Sequence, residues 1–139
     1  MAIVQTTCTS FKKELLMGTH DFSSDTFKIA LYVSTATLGA ATTAYTSTGE
    51  TTGTGYNAGG GTLTAVTPTN DGEAGIADFA DITFSTATLT ARGALIYNSS
   101  KSNKAVCVLD FGSDRIKTAA DFVITFPAAD QFNAIIRVK

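Results

Sequence analysis

The stretch TLTARGALIYN, residues 88–98, alternates along its length, and its odd-numbered positions 89–97 place small or apolar side chains on one face. A polar run, NSSKSN over 98–103, separates it from a second apolar run, KAVCVLDF over 104–111. Alternation with a period of two predicts β-strands, and a short polar connection between them predicts an antiparallel hairpin. This is the most hydrophobic pair of strands in the chain, so we expect the hairpin at the centre of the fold.

Weaker strand patterns lie outside this hairpin. Residues 26–33, TFKIALYV, alternate clearly enough to predict a half-buried strand. Further short strands are predicted at 61–68, 75–79, 82–84, 122–126 and 134–138, with weak edge strands near Tyr45 and over 50–54. We expect 122–126 and 134–138 to pair as a last hairpin, and Gly112-Ser113-Asp114 to close the strand before it.

The alternation changes phase ahead of the central hairpin. Ile82 and Phe84 occupy even positions, whereas the inward face of 88–98 is odd-numbered. One extra residue near Thr86, a β-bulge, would bring both sets onto the same face. The run Asn70-Asp71-Gly72 predicts a turn, because these residue types tolerate a positive φ.

One segment, near the N-terminus, has helical spacing. Phe11 and Leu15 are four residues apart, Leu16 widens the apolar face, Thr9 or Ser10 is expected to cap the start, and Gly18 follows the end. A helix this short is not stable alone in water, so its apolar face must pack on the β-domain or on a partner.

Together these patterns predict an all-β protein of 139 residues with one core. Residues 26–139 are expected to form an antiparallel β-sandwich, jelly-roll-like in topology, with a closed barrel as the alternative. Residues 1–25 are expected to form an N-terminal arm that carries the short helix.

Composition and charge exclude several classes of function. The formal net charge is −2, and no basic patch of the kind that binds phosphates is visible, so we expect no nucleic-acid partner. No apolar run approaches the roughly 20 residues that span a bilayer, so no membrane partner is expected. No secretory signal is visible, which favours synthesis in the cytoplasm, with Cys8 and Cys107 reduced.

The residues that could carry chemistry are sparse. His20 is the only histidine, and the acids do not cluster with it; the acidic turn at Asp110 and Asp114 is the best of the weak metal candidates. The glycine-rich run at 53–59 has the wrong spacing for a dinucleotide site, and the G-x-S-x-G and P-loop motifs are absent. We therefore expect no enzymatic activity, no cofactor, no metal and no small-molecule substrate.

Two tyrosines are instead candidates for a protein interface. Tyr45 and Tyr56 lie in polar, glycine-rich surroundings where a large ring is harder to bury, and tyrosine is enriched at protein contacts. Phe11, Leu15 and Leu16 are the other candidates, since the helix that carries them needs a partner.

Several phrases of the sequence, taken in order, resemble a known family. They are SFKKELLMG at 10–18, DTFKIALY at 25–32, GTGYNAGG at 53–60, ARGALIYN at 91–98 and LDFG at 109–112. In this combination they resemble small virion structural proteins of tailed bacteriophages, and the resemblance covers nearly the whole chain. It implies a component of the particle without catalytic activity, and it carries no functional residues that transfer one by one.

The leading expectation is a capsid cement or decoration subunit on the outside of the shell. Its partners would be the major capsid protein and copies of itself, as a dimer or trimer. A head–tail connector or tail-associated structural protein is the first alternative. A carbohydrate-binding module for host attachment, using Tyr45 and Tyr56, is the alternative from another class.

Overall fold

A computed structural model describes residues 2–139 of the chain. The described elements, in chain order, are β1 (Thr6–Thr7), α1 (Thr9–Leu16), β2 (Phe27–Tyr32), β3 (Gly61–Thr62), β4 (Ala65–Asp71), β5 (Ala74–Phe79), β6 (Ile82–Asn98), a one-turn 3-10 helix (Ser99–Lys101), β7 (Lys104–Ile124) and β8 (Ile136–Val138). None of the described helices is long and apolar enough to cross a membrane.

The strands form two antiparallel sheets. The larger sheet has five strands in the order β1-β7-β6-β2-β3, and the smaller has three in the order β4-β5-β8. The core lies between them, where Phe27 of β2 and Phe79 of β5 have ring centroids 5.7 Å apart. The predicted all-β antiparallel sandwich with one short helix is confirmed. The jelly-roll connectivity is not confirmed by this strand order.

The β6–β7 hairpin forms as predicted and dominates the larger sheet. It runs from the pair Asn98 and Lys104 at the turn to the pair Ile82 and Ile124 at the far end. The register shifts after Phe84, and Thr86 has a φ of 49°, so the bulge expected near Thr86 is present. It brings the even-numbered Phe84 and the odd-numbered Leu89 into the same core.

Two predictions on the C-terminal half are wrong. Strand β7 does not end at residue 111, because Gly112, with a φ of 81°, makes an irregularity within the strand rather than a closing turn. Phe122 pairs with Phe84 of β6, and β8 pairs with β5, so the expected last hairpin does not form. Alternation identified these strands, but it carries no information on which distant strand each one pairs with.

The threonine-rich region 34–60 contains no regular strand in the described chain. The weak edge strands predicted near Tyr45 and over 50–54 are reduced to isolated bridges, which join Ala44 to Lys104, Glu50 to Tyr32 and Thr54 to Thr88. This region lies as a loop along the larger sheet and is held there by backbone and side-chain hydrogen bonds, such as Thr51 N–H to the Leu31 carbonyl and Thr51 Oγ1–H to the Thr90 carbonyl.

The N-terminal arm packs against the sandwich. Strand β1 pairs with Cys107 and Val108 of β7, and the ring of Phe22 stacks on that of Phe27 with centroids 4.4 Å apart. The helix starts directly after β1, with Cys8 at the N-cap position and no side-chain capping bond, so the predicted cap by Thr9 or Ser10 is wrong. The stop near Gly18 is as expected, since that glycine has a φ of 72°.

Candidate interaction surfaces

The five candidate interface residues separate into two places. On the arm, Phe11 is buried and Leu15 is half-buried, whereas Leu16 is 90% exposed. In the loop over the larger sheet, Tyr56 is buried and Tyr45 is half-buried. The expectation that both tyrosine rings are hard to bury is therefore wrong, and the use of these five residues at an interface stays a prediction.

An apolar surface lies beside α1, which we call the helix patch and define by Leu16, Met17 and Val138. These side chains are 90%, 70% and 55% exposed. A groove of about 390 Å³ adjoins them, floored by Phe11, Leu15 and Ile136 and flanked by Lys12, Arg137 and Lys139. Exposed apolar side chains around a concavity mark a contact surface more often than isolated ones do.

Two of the four tyrosines, Tyr45 and Tyr56, bond one carboxylate, that of Glu50. The hydroxyl of Tyr45 donates to Glu50 Oε1 at 2.6 Å, and that of Tyr56 donates to Oε2 at 2.5 Å. The backbone N–H of Gly59 donates to the same Oε2 at 2.8 Å. A carboxylate with three donors is well satisfied away from water, and this allows the loop to lie on the sheet.

The remaining contacts tie this cluster to the strands. The hydroxyl of Tyr56 accepts the N–H of Leu31 in β2, and the ring of Tyr45 stacks on that of Tyr97 in β6 with centroids 4.9 Å apart. Burial, reinforced by the bonds to Glu50, raises the pKa of Tyr45 to about 12 and that of Tyr56 further. The cluster therefore stabilises the loop on the sheet.

This cluster makes the protein sensitive to alkali. In the native state the pKa of the Tyr45 phenol is raised to about 12, against an ordinary value of 10.0. Because the unfolded state releases its protons first, the stabilisation is complete below pH 10 and is lost as pH rises towards 12. Burial raises the pKa of Cys8 to about 11, and this acts in the same direction.

A pH titration of tyrosinate absorbance, followed together with circular dichroism, checks this expectation. In the native protein the absorbance should rise only as the β-sheet signal falls, whereas the protein in urea should titrate near the ordinary value. Tyrosines that ionise near pH 10 with the sheet signal intact would contradict the role given to the cluster.

His20 belongs to a buried polar network rather than to a reactive site. Its Nε2 lies 2.9 Å from Glu14 Oε1, and its Nδ1 lies 3.0 Å from Asn98 Nδ2. The orientation of the Asn98 amide is fixed, since Oδ1 accepts the Ser100 N–H at 3.0 Å and Nδ2 also donates to Asp25 Oδ2 at 2.8 Å. Nδ1 must then accept, and the ring donates through Nε2–H to Glu14.

The network joins the arm to the turn of the central hairpin. Glu14, His20 and Asp25 come from the arm, and Asn98 from the end of β6. Burial alone would raise the pKa of Asp25, but bonds from Asn98, the Asp21 N–H and Lys101 outweigh it and hold that pKa below its ordinary value. The His20 side chain is fully buried, so the network serves to position the arm.

The acidic turn at Asp110 is also occupied by protein groups. Asp110 Oδ1 accepts from the Gly112 N–H at 2.9 Å and lies 3.3 Å from Arg92 Nε. No group of three or more His, Cys, Asp or Glu residues within 2–139 is arranged to hold a metal ion.

The longest unpaired strand edge of the described chain belongs to β7. Strand β1 covers β7 only at Cys107 and Val108, so over 109–124 the strand pairs with β6 alone. We call 109–124 the free edge. Ile116 and Val123 on it are 68% and 52% exposed. Unpaired N–H and C=O groups along such an edge are a template for an added strand.

A second groove follows this free edge. It has a volume of about 360 Å³ and is lined by Phe111, Arg115, Lys117, Asp121, Phe122, Val123, Ile124 and Thr125. Phe111 and Phe122 have ring centroids 6.0 Å apart within it. Sequence reasoning did not identify this surface, because it assigned 112–114 to a turn. The available signal was the run RIKTAA at 115–120, which contains no Gly, Pro, Asn, Asp or Ser.

Comparisons with known proteins identify no related protein. No protein-family model matches the chain, and no curated protein or solved structure gives a significant match.

Proposed function

We propose that the protein is a structural subunit of a tailed-bacteriophage virion, without catalytic activity, that acts as a capsid cement or decoration protein on the outside of the shell. The proposal rests on the resemblance of the sequence phrases at 10–18, 25–32, 53–60, 91–98 and 109–112, and on one structural observation, the free edge of β7. A subunit that reinforces a shell needs a stable domain and a surface that binds neighbouring subunits. An unpaired strand edge supplies such a surface.

The proposed partners are the major capsid protein and copies of this chain, and two surfaces support this proposal. The free edge suits a shell subunit, here the major capsid protein, and the helix patch suits contacts between copies of this chain as a dimer or trimer. Phe11, Leu15 and Leu16 would contribute to that second contact, since all three line the groove beside the helix patch. Nucleic acid, membrane and small-molecule partners have no place in the proposal.

Two alternatives remain. A head–tail connector or tail-associated structural protein would use the same surfaces at fewer copies. A carbohydrate-binding module would need exposed rings, and Tyr45 and Tyr56 instead bond Glu50 and pack on the sheet.

Cryo-electron microscopy of intact particles of the phage that encodes the chain tests the proposal. The expected result is many copies on the outer surface of the shell. A few copies confined to the tail or the neck would support the first alternative. Absence of the protein from the particle, together with binding of the isolated protein on a glycan array, would support the carbohydrate-binding module instead.

Self-association through the helix patch gives a separate prediction. Replacing Leu16 by glutamate should weaken dimers or trimers at least tenfold in analytical ultracentrifugation, because it places a charge in an apolar contact. Its stability should stay within about 0.5 kcal/mol of wild type, since the side chain is 90% exposed. Val123→Glu, at the end of β7 remote from the β1 pairing, is the matched control and should leave association unchanged, since Val123 is 52% exposed and pairs with Thr83. A wild-type protein that stays monomeric at high concentration contradicts this prediction.

A further inference from the structure

One part of the free edge is straight enough to receive another strand. Gly112 and Ala119, with φ of 81° and 47°, interrupt β7 on either side of residues 113–118. Between them Arg115, Ile116 and Lys117 pair in unbroken register with Ala91, Thr90 and Leu89 of β6. We call 113–118 the open segment. Its regular part is 115–117, roughly 10 Å long at about 3.3 Å per residue, because residues 111–114 lie opposite Arg92 alone and a second register shift follows Lys117.

The open segment holds two cations, Arg115 and Lys117, and one acid, Asp114, which lies outside its regular part. Arg115 and Lys117 are two residues apart within the straight part of the strand, so their side chains lie on the same face, opposite to that of Ile116. Neither makes an ion pair within the described residues, although the Arg115 guanidinium donates to the Phe111 carbonyl at 2.9 Å. Both line the groove beside the edge, and its one acid, Asp121, accepts the Thr86 N–H.

A second copy of the chain does not fit this segment. Two identical strands that pair antiparallel in one sheet are related by a two-fold axis through one residue, which then lies opposite itself. If the regular part, 115–117, is to pair with itself, the axis must pass through Ile116. This places Arg115 opposite Lys117 twice. Like charges directly opposite each other destabilise a strand pair.

Bulges and lysines on an edge also serve to prevent unwanted pairing. That purpose alone does not account for the apolar floor of the groove, where Phe111, Phe122 and Ile124 lie next to the edge. Nor does it account for Ile116, which is 68% exposed between the two cations. An apolar floor, two unpaired cations and open backbone groups together describe a site for a strand of complementary charge.

We propose that the open segment binds an extended acidic segment of another protein, which joins β7 as an added strand and places its carboxylates against Arg115 and Lys117. This rests on the proposed function in one respect, since it gives the chemistry of the shell-subunit segment that the free edge would engage. Backbone hydrogen bonds would supply affinity, and the two charge pairs would select the partner and exclude self-pairing.

Titration of the isolated isotope-labelled protein with synthetic peptides, followed by NMR, tests the proposal. The probe is the acetylated and amidated peptide TVEVEVT, compared with TVKVKVT and with TVEPEVT, whose proline removes a backbone donor. The acidic peptide should bind roughly tenfold or more tightly than the lysine peptide, because each charge pair changes from attractive to repulsive. Shift changes should centre on 113–118, and the proline peptide should bind more weakly than TVEVEVT.

A charge reversal in the protein sharpens the test. Lys117→Glu should shift the preference towards the lysine peptide by about tenfold. Lys13→Glu, on the exposed side of α1, is the matched control and should leave the preference unchanged. Equal affinity for the acidic and lysine peptides, binding mapped elsewhere, no binding at millimolar peptide, or a wild-type dimer that pairs through 113–118 would each overturn the proposal. Because the assay uses no particle, its failure is distinct from absence of the protein from the virion.

Discussion

Replacing Gly60 by alanine should destabilise the protein by about 3 kcal/mol or more, because two penalties combine. Gly60 has a φ of 82°, in the left-handed region that costs a residue with a Cβ about 1–2 kcal/mol. A Cβ at this position would overlap the carbonyl oxygen of Ile29 and lie 2.8 Å from the Ala30 Cα. Both atoms belong to the backbone of β2, so no side-chain rotation relieves the clash.

Urea unfolding followed by circular dichroism measures this effect. Gly75→Ala is the control, since Gly75 lies in β5 and has no atom within 4 Å of a Cβ built there. The control should stay within about 1 kcal/mol of wild type. A Gly60→Ala protein as stable as the control would mean that the loop does not lie against β2 as closely as described.

Replacing Asn98 by alanine should cost about 3–5 kcal/mol, because it removes the centre of the network between the arm and the hairpin turn. Asn98 is fully buried, and its amide bonds His20, Asp25 and the Ser100 N–H. Alanine would leave the Nδ1 atom of a buried histidine without a donor and would remove a hydrogen bond to the Asp25 carboxylate. Unsatisfied buried groups of this kind are among the most destabilising changes in a protein.

The same substitution should also loosen the arm selectively. Trypsin should cleave after Lys12 and Lys13 faster in the Asn98→Ala protein than in wild type, because α1 is then held by fewer contacts. Asn57→Ala is the control, since Asn57 is exposed and should change stability by less than about 0.5 kcal/mol. A loss of stability below 1 kcal/mol, with unchanged proteolysis, would contradict the role given to Asn98.

The sequence pattern predicted the strand pair whose two members lie close together in the sequence. The hairpin of β6 and β7 has a short connection, and its alternation, including the phase change at Thr86, is written in consecutive residues. The pairing of β8 with β5 was not predictable in this way, because Ile136 and Ala77 are brought opposite each other only by the whole fold. The continuation of β7 beyond Gly112 was not predicted for a related reason, since a glycine with positive φ occurs both in turns and in bulges.

The candidate surfaces were predictable only in part. Leu16 was identified from helical spacing, but which side of α1 faces the sheet depends on packing. The burial of Tyr56 was missed because its surroundings are polar. One signal was present, since Glu50 is the only charged residue among 34–60 and tyrosine hydroxyls seek an acceptor when buried. The sequence around Arg115 and Lys117 did not indicate a binding surface, because an edge strand can be recognised only when its neighbours in the sheet are known.

The shape of the β6–β7 hairpin has a consequence for the order of folding. Its two strands are joined by a five-residue connection, 99–103, so the residue pairs next to the turn form with little loss of chain entropy. The β1–β7 pairing, by contrast, must bring Thr7 to Cys107 across most of the chain. Contacts of small sequence separation form sooner, so the C-terminal half is expected to organise first and the N-terminal arm to dock last.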